Sequence, residues 1–215
     1  MTERMAFGGL TIAYDDRVLR PREWTTAQSD WAAELMVTAP GGPVLELCSG
    51  AGHIGLLAVA ASGRRLVCVD ANPVACDYAR ANALDAGLAE LVDVRESRLE
   101  RALAPDECFP VVIADPPWVP REQTSRFPED PLTAIDGGDD GLDVARACLA
   151  VIDRHLAADG SAILQVGTRA QVDALRTEPC FAEQRLTIAE VRQQERGVLA
   201  RIDRQGPAWD VTRAG

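Results

Sequence analysis

The chain has no long hydrophobic run. None of its apolar stretches approaches the roughly 20 consecutive residues that a helix needs to span a bilayer. Its first seven residues, Met1 to Phe7, also lack the charged and then apolar order of a secretory signal peptide. We therefore expect a cytoplasmic protein without a membrane partner.

Metal-binding and redox motifs are missing as well. The six cysteines are scattered, with no Cys-x-x-Cys pair, and the two histidines form no recognisable ligand set. We therefore expect no metal. Cys48 and Cys68 lie in strand-like runs, where a cysteine usually behaves as a small core residue.

Positive charge is scarce. The 22 basic residues are outnumbered by 33 acidic ones, which gives a net charge of −11. Because sequence-independent binding to a phosphate backbone depends on lysine and arginine, this balance argues against a general nucleic-acid-binding protein. It leaves room for a local basic patch or for a basic partner.

The chain does contain a regular alternation of strand-like and helix-like segments. The predicted strands are residues 44–47, 66–70, 91–95, 110–115 and 161–167, followed by a terminal hairpin of about 184–191 and 198–204. The predicted helices are residues 25–38, 54–61, 73–87, 141–158 and 170–177, and residues 7–20 suggest a small β-hairpin around Gly8-Gly9 and Asp15-Asp16. This pattern predicts an α/β fold with an open, mostly parallel sheet, helices on both faces and an antiparallel edge.

We expect one domain over residues 1–215, since 215 residues with 47% hydrophobic content are enough for a single α/β core. Within it, residues 1–40 form an N-terminal hairpin and helix extension. Residues 41–215 form the catalytic core.

The most informative short segment is Asp115-Pro116-Pro117-Trp118, which follows the apolar run of residues 111–114. Each proline fixes φ and removes a backbone donor, so the carbonyls of the turn are free to accept hydrogen bonds. An acid, a free carbonyl and a flat aromatic ring together can hold a planar group that bears an NH2. This combination suits an enzyme that methylates a poorly nucleophilic nitrogen. The alternative is a simple stop to strand pairing.

A glycine-rich segment, residues 50–55, lies between the first core strand and its helix. Its Gly-x-Gly-x-x-Gly spacing also fits a dinucleotide site. Two acids favour S-adenosylmethionine (SAM) instead. Glu46 precedes the loop, and a carboxylate there suits an ammonium or a sulfonium group better than an anionic pyrophosphate. Asp70 ends the next strand, where its carboxylate can accept hydrogen bonds from both ribose hydroxyls. The alternative is a solvated Glu46 and an Asp70 that serves as a helix N-terminal charge.

Five segments, in the right order, resemble the class I SAM-dependent methyltransferases of the HemK/PrmC type, the protein-glutamine N5-methyltransferases. They are residues 18–25, 46–55, 70–73, 115–118 and 131–142. The last is the most specific, because it is similar to the family's "P…AL-x-GG-x-DGL" loop, which we expect to flex over the pocket. The resemblance covers residue 7 to about 204. No segment of these 215 residues resembles the helical N-terminal domain of the bacterial members, so we expect a short form like that of the archaeal and eukaryotic relatives.

The resemblance implies a Rossmann-like class I methyltransferase fold, SAM as the cofactor and a set of site residues. The catalytic candidates are Asp115, Pro116, Pro117 and Trp118. The cofactor candidates are Glu46, Cys48, Gly50, Gly52, Asp70, Ala71, Asn72, Glu96, Ser97 and Asp115. The substrate candidates are Arg22, Thr25 and Trp118.

The main departure from the family is Asp115, which stands where the family has asparagine. The resemblance implies a protein glutamine as methyl acceptor, in a protein like a translation release factor, and a partner subunit that activates the enzyme.

A second hypothesis is that the methyl acceptor is a small amine, amide or guanidine metabolite. A charged acid at position 115 suits such a substrate, since charge-assisted hydrogen bonds are stronger. Adenine-N6 methyltransferases also carry an acid here, so an adenine-N6 or guanine-N2 nucleic-acid enzyme is a third hypothesis, which the acidic charge opposes. A non-catalytic SAM-binding scaffold is a fourth. A dehydrogenase would leave the segments around Asp115 and Gly137 unexplained.

Overall fold

The structure is a computed structural model that describes residues 1–204. Residues 205–215, which belong to the predicted core domain, lie outside the described part. The first element is the predicted β-hairpin, formed by β1 (Glu3–Phe7) and β2 (Leu10–Tyr14), and of the two pairs named in the sequence it turns at Gly8-Gly9 and not at Asp15-Asp16. Both glycines have positive φ, a conformation that a residue without a Cβ adopts readily. The hairpin starts earlier than predicted, and residues 15–20 form no strand.

A seven-stranded sheet forms the centre of the molecule. Its strands in chain order are β3 (Val44–Leu47), β4 (Leu66–Asp70), β5 (Val92–Glu96), β6 (Phe109–Ala114), β7 (Leu156–Val166), β8 (Leu186–Gln193) and β9 (Val198–Arg204). The spatial order is β5-β4-β3-β6-β7-β9-β8, and β9 runs antiparallel to both of its neighbours while the other pairs are parallel. This confirms the predicted fold class, including the antiparallel C-terminal hairpin.

Helices cover both faces of the sheet. They are α1 (Thr26–Thr38), α2 (His53–Val59), α3 (Pro73–Asp85), α4 (Leu132–Ile135), α5 (Asp143–His155), α6 (Arg169–Leu175) and α7 (Pro179–Ala182), with 3-10 turns at Glu23–Thr25, Ala89–Leu91, Leu99–Arg101 and Arg121–Arg126. Side chains of α1 and α2 join the core on one face, and those of α5 and α6 join the core on the other. Successive strand residues alternate between the two cores: Val44 belongs to the first and Leu45 to the second. Burial on both faces explains the continuous apolar sequences of β3 and β6.

Among residues 1–204, no helix combines the length and the apolar content that crossing a membrane requires.

The end of α5 differs from the prediction. The helix predicted for residues 141–158 ends at His155, and β7 begins at the next residue. Asp159 and Gly160, expected to end the helix, lie inside β7, where Asp159 has a φ of 58°. The pairing of β7 with β6 shifts register at this point. An irregularity of this kind lets the strand start early and absorb three extra residues relative to β6, which a turn-like Asp-Gly sequence conceals.

One buried amide fastens the N-terminal hairpin to the core. The Asn82 Oδ1 atom in α3 accepts a hydrogen bond from the Ala13 N–H (2.7 Å), and its Nδ2 donates to the carbonyls of Ala13 (3.0 Å) and Ala51 (2.9 Å). Asn82 is fully buried. Its side chain therefore joins β2 to the glycine-rich loop that precedes α2.

Replacing Asn82 by alanine should lower the free energy of unfolding by at least about 2 kcal/mol, because three backbone groups would lose a buried partner. Urea unfolding followed by circular dichroism measures this change. The control is Leu84→Ala in the same helix, where the exposed side chain should cost little. Equal effects of the two substitutions would contradict a fastening role for Asn82.

Candidate active site

Three loops meet at one edge of the sheet, where β3, β4 and β6 end. They carry residues 48–52, residues 71–72 and the turn that begins at Asp115. The chain order of the strands reverses between β3 and β6, since β4 and β5 lie on one side and β6 and β7 on the other. In open α/β sheets, such a switch point is where ligands bind.

A cavity of about 860 Å³ lies at this edge, within the range of roughly 300–1,000 Å³ usual for small-molecule sites. Seven predicted cofactor residues line it: Cys48, Gly50, Asp70, Ala71, Asn72, Ser97 and Asp115. Apolar walls are supplied by Ile54, Val69, Ala75 and Leu99. The structure therefore gathers most of the predicted cofactor set around one space.

Asp70 organises the polar side of the cavity. Its Oδ2 accepts a hydrogen bond from the Gly50 N–H (2.8 Å) and its Oδ1 from the Asn72 N–H (2.8 Å). Burial raises the pKa of this carboxyl, and these backbone donors oppose the rise. Each carboxylate oxygen has a second lone pair, so Asp70 can also accept two ligand hydroxyls.

The residues present fit SAM. Ser49 lines the cavity, and its buried hydroxyl has no hydrogen-bond partner among residues 1–204. Because buried polar groups normally have a partner, this hydroxyl is a candidate to bind a polar group of a ligand. Asp70 matches the ribose hydroxyls, and the apolar wall near Leu99 matches a planar base.

Cys48 lies in the cavity wall in an uncommon backbone conformation. Its φ is 58°, in the left-handed region that costs a residue with a side chain about 1 kcal/mol or more. Its Sγ is 3.9 Å from the Sγ of Cys148 in α5, so the side chain turns toward the core. The expectation of a small core residue and that of a cavity residue therefore both describe Cys48.

Glu46 lies beneath the glycine loop and is not among the residues that line the cavity. It is 2% exposed, and its carboxyl accepts hydrogen bonds from the Gly55 N–H (3.0 Å) and from the Cys68 thiol (3.3 Å). Burial raises its pKa to about 8. A Cβ on Gly55 would collide with this carboxyl, which explains the third glycine of the loop. The geometry therefore gives Glu46 a part in shaping the loop.

Two other predicted cofactor residues lie outside the cavity wall. Glu96 ends β5 with an exposed side chain, whereas its neighbour Ser97 faces the cavity. Gly52 precedes α2 with a φ of 78° and packs closely on Ala79, so its conformation shapes the start of the helix.

A smaller pocket of about 100 Å³ adjoins the cavity. All predicted catalytic and substrate residues line it: Arg22, Thr25, Asp115, Pro116, Pro117 and Trp118. Leu19, Asp115, Pro117 and Ala134 line both spaces. The two spaces therefore meet at the turn that follows β6.

Asp115 is partly buried and has no charged partner. Within residues 1–204, its carboxyl makes no hydrogen bond and no ion pair. Burial raises its pKa to about 7. A desolvated and unpaired acid at the junction of two pockets is a strong candidate for a functional group.

Arg22 and Thr25 shape one wall of the smaller pocket. The Arg22 guanidinium forms an ion pair with Asp130 (2.5 Å) and lies 5.6 Å from the centre of the Trp24 ring. The Thr25 hydroxyl donates to the Arg22 carbonyl (2.7 Å). The ion pair of Arg22 and Asp130 therefore forms part of the pocket wall.

The Gly137-Gly138 loop, expected to flex over the pocket, is tied to the Asp115 turn. The Gly137 N–H donates to the Val119 carbonyl (2.9 Å), the Arg121 N–H donates to the Gly138 carbonyl (2.8 Å), and the Arg121 side chain pairs with Asp136 (3.2 Å). A Cβ on Gly137 would lie 2.6 Å from the Gly141 carbonyl oxygen. In this geometry the Gly137-Gly138 loop packs against the turn that follows Asp115 and is hydrogen-bonded to it, so the structure gives no open position from which the loop would close.

Several site residues were not predicted from the sequence. His53 lines the cavity, where burial lowers its pKa to about 4, and Asp130, Gln165 and Arg196 line the smaller pocket. Gln171 in α6 bonds to the carbonyl of Trp118. Apart from His53 in the glycine loop and Asp130, which directly precedes the segment of residues 131–142, these residues lie far along the chain from the recognised motifs. Only the packing of the chain brings them to the site.

A family model described as methyltransferase small domain matches residues 25–171. The chain belongs to this family. The membership confirms the resemblance seen in the sequence and the methyltransferase class, and it indicates SAM as the cofactor.

Two curated relatives illustrate the similarity. The release factor glutamine methyltransferase of Gloeobacter violaceus is 34% identical over 163 residues, which are 73% of this chain and 57% of that protein. The ribosomal protein uL3 glutamine methyltransferase of Burkholderia pseudomallei is 32% identical over 188 residues, which are 81% of this chain and 61% of that protein. The chain thus spans little more than half the length of these curated relatives.

Solved structures with the same fold include a SAM-dependent methyltransferase from Agrobacterium tumefaciens, with a TM-score of 0.66 and 17% identity over 94% of this chain and 70% of that chain. An RNA methyltransferase from Salinibacter ruber in complex with S-adenosyl-L-homocysteine has a TM-score of 0.56 and 18% identity. This match covers 90% of this chain and 99% of that chain. At these identities the likeness concerns the fold alone.

The raised pKa of Asp115 makes the stability of this methyltransferase domain depend on pH. Between the usual value of 3.8 and about 7, the folded state binds the proton more tightly than the unfolded state, so this group's contribution falls as pH rises through that interval. Asp115→Asn should therefore gain stability relative to the wild type as pH rises from about 4 to about 7, with no further gain above that.

Urea unfolding of both proteins across this pH range tests the prediction, and the comparison removes most of the similar contribution of Glu46, whose pKa is raised chiefly by burial and to a smaller extent by the charge of Asp115. The control is Asp30→Asn, an exposed position in α1 that should leave the shape of the curve unchanged. A difference in the free energy of unfolding between Asp115→Asn and the wild type that does not change with pH would argue against a desolvated acid at this position.

Gly141→Ala should destabilise the domain more than Gly87→Ala. Both glycines have a left-handed φ, 77° and 71°, so the conformational cost is matched. At Gly141 a Cβ would also collide with the Trp118 carbonyl oxygen, whereas at Gly87 nothing lies within 4 Å. Overpacking of this kind adds about 1–3 kcal/mol. Thermal and urea unfolding of the two variants gives the difference, and equal losses would show that the loop gives way at no cost.

Proposed function

We propose that this chain is a SAM-dependent N-methyltransferase that acts on the side-chain amide of a protein glutamine. The observation that carries the proposal is the junction at Asp115 and Pro117, where the larger cavity and the smaller pocket share a wall. A methyl donor in one space and an amide in the other would meet beside Asp115, whose carboxyl has neither a hydrogen-bond partner nor an ion-pair partner among residues 1–204. The names of the two curated relatives, glutamine methyltransferases of a release factor and of uL3, support the same acceptor class.

The cofactor would be held by the edge of the sheet. Asp70 would accept the ribose hydroxyls, the backbone around Ser49 and Gly50 would face the methionine part, and Ser97 with Leu99 would border the base. When bound, SAM supplies an electrophilic methyl group attached to a sulfonium. The walls of the cavity hold this donor in a fixed direction, which removes much of the entropic barrier to transfer.

The acceptor nitrogen of an amide is a poor nucleophile because its lone pair is delocalised. The Asp115 carboxyl and the Pro116 carbonyl would accept its two N–H bonds and aim the lone pair at the donor. The same oxygens stabilise the positive charge that grows on the nitrogen during transfer, which is the larger part of their effect. Trp118 offers a flat surface against which the planar amide can lie.

The partner that follows from this proposal is a protein of the translation machinery with a glutamine in an accessible loop. Such substrates reside in the cytoplasm, where we expect the enzyme to act. The resemblance also implies an activating partner subunit, which an extract can supply in the assay. Residues 1–215 would act as one domain, with the N-terminal hairpin and α1 packed against the core.

The first test incubates the purified chain with methyl-labelled SAM and an extract separated into protein, nucleic-acid and small-molecule fractions. We expect label in protein, and peptide mass spectrometry should place the methyl group on a glutamine side chain. Label confined to small molecules would replace this proposal with a metabolite N-methyltransferase. Label confined to nucleic acid would replace it with a base methyltransferase.

Asp115→Ala should abolish turnover while S-adenosyl-L-homocysteine binds within a few-fold of the wild type, because the acid contacts the acceptor side. Asp115→Asn is the matched control, since it keeps an acceptor oxygen, and it should retain most of the activity. Isothermal titration calorimetry and the label assay give the two quantities. Loss of binding and turnover together in Asp115→Ala would mean that the residue maintains the fold.

A further inference from the structure

We propose that Gln171 is a positioning residue that fixes Trp118 and the Gly137–Gly141 loop, and so sets the geometry of the acceptor pocket. The inference rests on the proposed function for its kinetic consequence. Its structural part concerns the side-chain amide of one glutamine in α6.

The Gln171 amide makes hydrogen bonds to three segments. Its Nε2 donates to the Trp118 carbonyl (3.0 Å) and to the Asp140 carbonyl (3.1 Å), with a longer contact to the Gly141 carbonyl (3.5 Å). Its Oε1 accepts from the N–H groups of Gly167 (2.9 Å) and Thr168 (3.1 Å). One planar group therefore joins the turn after β6, the loop before α5 and the end of β7.

The two glycines beside this amide bring Trp118 into close contact from both sides. A Cβ on Gly167 would lie 2.5 Å from the Trp118 ring, and a Cβ on Gly141 would collide with the Trp118 carbonyl oxygen. The indole therefore lies on the backbone at Gly167, directly after β7, while the Trp118 backbone lies on the Gly137–Gly141 loop. Gln171 closes this arrangement with hydrogen bonds that define the orientation of Trp118.

The amide needs both a donor and an acceptor. On one side it faces carbonyl oxygens only, and on the other it faces N–H groups only. A glutamate at this position would keep the acceptor side, and it would also keep the capping box that Thr168 and Gln171 form at the start of α6. It would turn the donor side into a carboxylate oxygen that faces carbonyl oxygens, which is repulsive.

This chemistry separates a positioning role from mere helix capping. Gln171→Glu preserves the cap and disrupts the contacts with Trp118 and the loop. Thr168→Ala does the opposite, because it removes the hydroxyl that accepts the Gln171 N–H (3.2 Å) and leaves the donor side intact. Gln184→Glu is the control for added charge, since Gln184 is exposed and makes no side-chain hydrogen bond within residues 1–204.

The experiment labels the protein with 5-fluorotryptophan and records its fluorine NMR spectrum, with the Trp118 resonance assigned by Trp118→Phe. We expect Gln171→Glu to shift or broaden the Trp118 resonance, and Thr168→Ala and Gln184→Glu to leave it in place. Calorimetry with S-adenosyl-L-homocysteine should give affinities within a few-fold for all variants. In the methyl-transfer assay, Gln171→Glu should lose about a hundredfold in kcat/KM for the acceptor, as expected for a small misplacement of reacting groups.

A second measurement on the unmodified protein guards against a variant that does not fold. The side-chain NH2 of Gln171 should exchange with solvent far more slowly than that of Gln184. Fast exchange, or an unmoved Trp118 resonance in a folded Gln171→Glu protein, would overturn the proposal. Neither the Trp118 resonance nor the exchange of the Gln171 amide requires a methyl acceptor. A failure of the glutamine-methylation proposal would therefore leave both results unchanged and could be distinguished from a failure of the positioning proposal.

Discussion

The close approach of the Gly137–Gly141 loop to the backbone of Trp118 is the constraint on which the acceptor side of this fold depends. No Cβ fits at Gly141, and none fits at Gly137 against the carbonyl of Gly141. The glycines therefore do not serve flexibility here. They allow two stretches of backbone to touch, and the hydrogen bonds of Val119 and Arg121 then hold the contact. A rigid turn suits the proposed transfer of a methyl group to nitrogen, because the acceptor would have to be aimed within a narrow range of directions.

A second constraint is the burial of acids at the carboxyl edge of the sheet. Glu46, Asp70 and Asp115 all lie there, and desolvation raises the pKa of each. Backbone N–H groups offset part of this cost for Glu46 and Asp70. Asp115 has no such compensation from the described residues, so its environment is the least favourable of the three for a charge. Stability given up at one position of this kind is characteristic of functional sites.

Much of the fold and of the cofactor side could be predicted from the sequence because their signals are local. The strand-helix alternation predicts the sheet, and Asp70 and the glycine loop follow their strands directly. The acceptor side was only half predictable. Asp115 and Trp118 stand in a short motif, but Gln165, Gln171 and Arg196 reach the site through packing between distant segments. The limits of β7 were missed for a related reason, since an Asp-Gly pair signals a turn in sequence and forms a bulge only where β6 offers a pairing partner.

The environment of Asp115 bears on the replacement of the family's asparagine. A carboxyl with a pKa of about 7 is divided between its protonated and ionised forms near neutrality. An aspartic acid in place of the family's asparagine therefore adds less negative charge at neutral pH than the replacement suggests. In addition, the protonated carboxyl offers a carbonyl oxygen as a hydrogen-bond acceptor, much as the asparagine amide does. A permanently cationic guanidinium acceptor would be matched by a site that keeps its acid ionised, with backbone donors or a neighbouring cation. The described residues provide neither to Asp115. Of the two arginines in the wall of the smaller pocket, Arg22 is paired with Asp130 and Arg196 lies 5.3 Å from the centre of the Trp24 ring, and neither forms an ion pair with Asp115. The site thus accommodates a neutral planar amide without demanding a charge, so an acid at this position is compatible with glutamine chemistry.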